Sequence, residues 1–168
     1  MLERFGLTLL AVFASFLLWF GGEKLFNLQN ANRARKYLIQ EICNEIEMNI
    51  GVLDTIVKGI RSNEESGSIT MVLPRLNLAT YEYIIASGEI RLLNREAGRL
   101  FREASYLSEC FNGFVTNTEL LLAISHLKEQ SAALFTATYR LSKLIEEAES
   151  KKSSLESYLN ELKTLLGL

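Results

Sequence analysis

Between Tyr37 and Ile60, apolar residues recur in alternating steps of three and four: Ile39, Ile42, Ile46, Leu53, Ile56 and Ile60, with Asn49 in the central place. That period marks one face of an α-helix, and Cys43, Ile50 and Val57 widen the stripe to a core-facing width. A long helix is predicted over 25–62. Its charged residues Glu41, Glu45, Glu47, Asp54 and Lys58 are expected mostly on the flanks or outside. The polar run SNEESGS, Ser62 to Ser68, should end it.

Pro74 marks the next boundary, and Arg75 to Ser87 reads as a short helix, apolar on most sides and enclosed by longer ones. Gly88 is placed to end it with positive φ. A second long seam runs through Leu93, Ala97, Leu100, Ala104, Leu107, Phe111, Phe114 and Leu121, with Thr118 completing the step and Asn94 as N-cap. A third runs through Leu134, Leu141, Ile145, Ala148, Leu155, Leu159, Leu162 and Leu166, with Thr138 and Lys152 as polar members.

The phase slips at residues 126–128, and the turn is expected there. Asn112-Gly113 offers a competing break, with Thr116-x-x-Glu119 resembling a capping box, and Ser153-x-x-Glu156 could also restart a helix. The seam continues through Gly113, which favours a single helix. The expectation is an all-α chain: an up-and-down bundle of three long helices and one short, over residues 25–168.

Residues 1–24 have a different pattern. Phe5 to Gly22, FGLTLLAVFASFLLWFGG, contains no charge over eighteen residues. At about 1.5 Å per residue it covers roughly 27 Å, close to the ~30 Å hydrocarbon core of a bilayer. Trp19 and Phe20 stand at its far end, where aromatics favour the headgroup level. A transmembrane anchor is expected. A signal peptide fits less well, because its apolar region is shorter and no A-x-A site follows. Ala11 and Ser15 form a small-xxx-small pair through which two spans could approach. Arg4 precedes the run, whereas Lys24, Arg33, Arg35 and Lys36 follow it, so the positive-inside rule puts the bundle in the cytoplasm of a single-pass cell-membrane protein.

Asn49 poses the question of a buried amide, which costs free energy unless its hydrogen bonds are met. It could fix register in an intermolecular seam or rotate towards solvent. The reading favoured here is an internal polar network drawing on Glu45, Tyr81, Glu82 and Ser87. Glu45-Ile46-Glu47-Met48-Asn49, Pro74, Thr80-Tyr81-Glu82, Ser87-Gly88 and Leu92-Leu93 follow one another in that order after the N-terminal span. The pattern resembles a loose group of uncharacterised prokaryotic single-span membrane proteins with a helical domain. That resemblance spans roughly residues 1–115 and implies an anchored helical domain without bringing an activity, ligand or cofactor.

Composition narrows the function further. A net charge of −2 across 168 residues, with no basic stripe interleaved with aromatics, gives no footprint for nucleic acid. The two cysteines, Cys43 and Cys110, match no metal or redox spacing and are expected as buried free thiols. The single histidine, His126, has no second ligand at metal spacing, and a di-iron bundle needs two Glu-x-x-His motifs. No phosphate-binding or nucleophile motif is present. Glu45 with Glu82 as an acid pair is less economical than a shared structural network. A pilin-like subunit fits poorly, since no glutamate lies early in the apolar run.

The chain is therefore expected to be a non-enzymatic, membrane-anchored scaffold, adaptor or accessory subunit without cofactors. Its partners would be the lipid bilayer and either another protein or a second copy, with no small-molecule substrate identified. The alternative is a tethered bundle that binds or senses a small ligand between its helices.

Overall fold

The computed structural model describes the backbone of residues 2–66, 73–127 and 131–167, and the side chains of 15, 19, 22–62, 73–123 and 138–167. The described residues are all-helical: α1 (Leu2–Ser66), α2 (Ala79–Ser87), a short 3-10 turn (Glu89–Leu92), α3 (Arg95–Leu127) and α4 (Ser131–Leu166). They divide into two units, Met1–Tyr37 and Leu38–Leu168.

In the first unit the described backbone from Leu2 onward is α-helical, and no second element accompanies it. Most side chains of the apolar run, including Phe5, Ala11 and Phe20, lie outside the described residues; Ser15 and Trp19 are exposed. Among the described residues, no helix is long and apolar enough to cross a membrane.

The second unit holds the core. The seven positions of the first seam are sealed: Ile39 is 2 % exposed and Ile42, Ile46, Asn49, Leu53, Ile56 and Ile60 are 0 % exposed. Fully burying such aliphatic side chains contributes roughly 1.5–3 kcal/mol each. Leu93, just ahead of α3, and Ala97, Leu100, Ala104, Leu107 and Phe111 within it join the core, with Phe101 and Val115 widening its face. Phe114 and Leu121, expected in the seam, are half-buried at its edge. α4 contributes Leu141, Leu144, Ala148, Leu155, Leu159 and Leu162.

Chain direction follows from which side chains meet. Glu47 pairs with Lys163, Asp54 with Lys152 and Arg61 with Glu149, so α1 and α4 run antiparallel. The short interval between α3 and α4 and the Arg99–Glu161 pair make those two antiparallel as well. α1 and α3 are therefore parallel. The chain returns between them through Leu73–Leu78 and α2, and this return forms the descending second leg of the bundle.

Several boundaries differ from expectation. α1 continues to Ser66, past the expected stop at Ser62. The short helix begins at Ala79 and not at Arg75, because the residues before it are recruited into another set of bonds. Asn112-Gly113 does not interrupt α3, and Ser153 lies inside an unbroken α4. Of the turn expected at 126–128, His126 and Leu127 are still helical in α3, and residue 128 lies outside the described residues. Asn94 Oδ1 caps α3 by accepting from Ala97 N–H at 2.8 Å. Gly88, at φ 71°, closes α2 in the left-handed conformation that other residues adopt at a cost.

Candidate functional site

The most elaborate polar construction among the described residues is the strap Leu73–Leu78. Apart from Leu78 O, which accepts the first bond of α2 from Glu82 N–H at 2.9 Å, its main-chain groups lie outside helical bonding and need partners from elsewhere. They find two asparagines. Asn49 on α1 accepts from Asn77 N–H at 2.6 Å and donates through Nδ2 to Asn77 O at 3.0 Å. Asn112 on α3 accepts from Leu76 N–H at 2.8 Å and donates to Leu76 O at 2.9 Å. A residue whose N–H and C=O both meet one carboxamide points them the same way, as extended backbone does. Successive extended residues face opposite sides. The strap is thus held from α1 on one side and from α3 on the other.

Both flanks are tied as well. Upstream, Leu73 N–H donates to Glu119 Oε1 at 3.3 Å, and Arg75 donates to the second oxygen of Glu119 at 2.5 Å, to Asn112 O at 2.9 Å and to the Thr116 hydroxyl. The Thr116 and Glu119 pair that resembled a capping box is therefore a mid-helix clamp for Arg75. Downstream, Asn77 Oδ1 accepts from Ala79 N–H at 3.2 Å, and Glu45 Oε2 accepts from Thr80 N–H at 2.7 Å. Glu45 thereby caps the first turn of α2 from another helix. A carboxylate is favoured there because it faces the positive end of the helix. Leu73 and Leu76 anchor the strap in the core at 2 % and 3 % exposed.

Of the residues expected in an internal network, the structure brings Glu45, Asn49 and Tyr81 into the interior, at 2 %, 0 % and 1 % exposed. Tyr81 stacks on Phe101 with ring centroids 5.4 Å apart, tilted by 59°. Burial, and secondarily the charge of Glu45, holds its phenol well above the usual tyrosine range. Glu82 and Ser87 are not part of this interior group. Both are exposed, because α2 turns only Tyr81 and Ile84 fully inward. Ser87 makes long local bonds of 3.4 Å to Ile84 O and from Glu89 N–H.

Asn112 and Asn77 do not stand out as binding groups in the sequence, where Asn112-Gly113 reads as a possible break. Asn112 carries a signal: it sits on the same helix face as Ser105 and Ser108, two buried polar residues beside an apolar seam. Three buried oxygens make no hydrogen bond to the described residues: Glu45 Oε1, Tyr81 Oη and Ser108 Oγ.

The cysteines separate. Cys43 is a buried free thiol, pushed up to about 11 chiefly by burial; nearby Lys163 opposes the shift and Glu47 adds to it. Cys110 is free but exposed, which corrects the expectation of two buried thiols. It lies one turn from Tyr106 on the outer face of α3, and a hydrogen bond between the two raises the Tyr106 phenol. The side chain of His126 lies outside the described residues.

Asn49, Asn112 and Glu45 spend their hydrogen bonds on the main chain of the strap and of the first turn of α2. Among the described residues, no group of three or more His, Cys, Asp or Glu is disposed to hold a metal. Two surface grooves are lined by charged side chains. One of about 300 Å³ runs along the Asp54–Lys152 and Arg61–Glu149 pairs, and one of about 400 Å³ lies by Arg95, Glu96, Arg99 and Arg102. Arg99 in the second is already shared by Glu103 and Glu161.

Comparison with known proteins found no matching family, no similar curated protein and no similar solved structure. The E-I-E-x-N pattern therefore carries no family assignment.

Proposed function

We propose that this protein is a single-span, membrane-anchored helical scaffold or accessory subunit that works through its bundle surface without catalysis. The observation that carries the reading is the uncharged run Phe5–Gly22 inside an unbroken helix whose unit contains no second element. Large apolar side chains on that helix stand uncovered, with Trp19 65 % and Phe26 63 % exposed. A lone apolar helix has little reason to persist in water, whereas a bilayer satisfies it. A rigid bundle whose interior polar groups serve to hold its own return leg suits a presenting surface better than a reaction site.

The anchor is tested by alkaline carbonate extraction of host membranes. The chain should remain in the pellet, and its release would overturn the anchor. Exposed Cys110 provides the topology test. A membrane-impermeant maleimide should leave it unlabelled in intact cells and label it after permeabilisation; labelling in intact cells would place the bundle outside. Native mass spectrometry of gently extracted protein should find other polypeptides bound. A lone monomer would remove the accessory-subunit reading.

A further inference from the structure

The stretch of α1 between the apolar run and the bundle has a character of its own. Five basic and two acidic residues up to Tyr37 leave the first unit at +3, and thirteen basic against eighteen acidic residues leave the remainder at −5. Four of those five basic residues, Lys24, Arg33, Arg35 and Lys36, lie within this stretch. So do three large apolar side chains that nothing in the unit covers: Leu25, Phe26 and Leu28, at 63 %, 63 % and 60 % exposed.

The helical period sorts them. At about 100° per residue, the four basic and three apolar residues fall within an arc of about 200°, with Gln29 and Asn32, and Glu23, Asn27, Asn30, Ala31 and Ala34 share the remaining side. One side thus carries small and polar residues without a cation, and the other carries cations and apolar bulk together. Four cations directly after an apolar run suit a lipid headgroup layer. There stems and rings enter the acyl boundary while charges reach phosphates.

We infer that Lys24–Lys36 is a collar that binds the anionic headgroups of the leaflet bordering the bundle. The inference rests on the anchor reading above and adds a lipid class to it. Charge complementarity favours anionic lipid over a second collar, since two such segments at like charge repel. Attraction to an anionic surface is roughly fivefold per basic residue near it, and it fades with salt.

The chain has one tryptophan, Trp19, near the same end of the run, so its fluorescence reports the surrounding lipid. The full chain is reconstituted in phosphatidylcholine vesicles containing equal mole fractions of brominated phosphatidylcholine or brominated phosphatidylglycerol. Brominated phosphatidylglycerol should quench Trp19 more strongly, at an apparent enrichment of about fivefold or more. The enrichment should fall clearly below the parent's in Arg33→Gln/Arg35→Gln/Lys36→Gln, which keeps Lys24, with helical content unchanged by circular dichroism. Equal quenching by both lipids in the parent chain would overturn the collar and leave the anchor standing. Absence of quenching by either would overturn the anchor and the collar with it. A dimer in neutral vesicles that the same three substitutions dissociate would assign the collar to a second copy's acidic bundle, against the lipid assignment.

Discussion

Replacing Asn49 by leucine tests the reading of the strap most directly. The parent carboxamide is 0 % exposed and makes both of its bonds to Asn77, at 2.6 and 3.0 Å. Leucine has similar volume but no polar atom, so the N–H and C=O of Asn77 lose their partner together. Each stranded main-chain group costs about 1–3 kcal/mol. The leucine recovers roughly 1–2 kcal/mol by burying apolar surface. At the middle of both ranges the expected net loss is about 2–3 kcal/mol, concentrated on the strap.

Two assays read it. Urea unfolding of the full chain in neutral detergent, followed by circular dichroism, should move to a lower midpoint. Hydrogen exchange of the Leu76–Thr80 amides should accelerate by about 30- to 150-fold, since every 1.4 kcal/mol is a factor of ten. Oligomeric state should not change, because the bonds are made within one chain. Unchanged exchange at the strap, or stability equal to the parent, would refute the clamp. A change in mass would move Asn49 to an intermolecular seam.

The same logic covers the remaining residues of the site. Asn112→Leu should cost a similar amount. The double variant Asn49→Leu/Asn112→Leu should cost clearly less than the sum, because the two carboxamides hold adjacent residues of one strap; full additivity in a double-mutant cycle would contradict that coupling. Glu45→Gln keeps an acceptor for Thr80 N–H and removes a buried charge, so its melting temperature should stay close to the parent, whereas Glu45→Leu should destabilise by about 1–2 kcal/mol through loss of the α2 cap. Iodoacetamide at pH 8 should modify Cys110 and spare Cys43, as read by peptide mass spectrometry, because the second thiol is buried and pushed up to about 11. The neutral thiol of Cys43 is favoured in the fold, so stability should be unaffected below an unfolded value near 9.0 and fall by about 1.4 kcal/mol per pH unit from there towards 11. Cys43→Ala should flatten that alkaline slope.

Periodicity was a sound guide to the helices because burying a stripe is a one-dimensional requirement, visible at steps of three and four. It located the first seam residue by residue, and it carried α3 correctly through Gly113. It also identified Asn49 as an amide in want of an interior partner, since a polar position within six aliphatic ones stands out in any alignment of faces. The partner itself was not legible. Tyr81, Glu82 and Ser87 were considered because they carry polar side chains, yet the groups that Asn49 meets are the main-chain N–H and C=O of Asn77, which every residue but proline possesses.

Arg75–Leu78 looks from its letters like the start of a helix after Pro74. Tertiary structure decided otherwise, because two carboxamides arriving from parallel helices satisfy its backbone more completely than a first helical turn, whose N–H groups start unpaired. The exposure of Cys110 was settled in the same way, by which side of α3 its neighbours left open. Sequence alone determined the helical class, the long seams and the uncharged N-terminal run, all of which follow from spacing along the chain. The packing of separate helices determined how the return leg is held and which polar residues it buries, because those bonds join groups that are neighbours only in space.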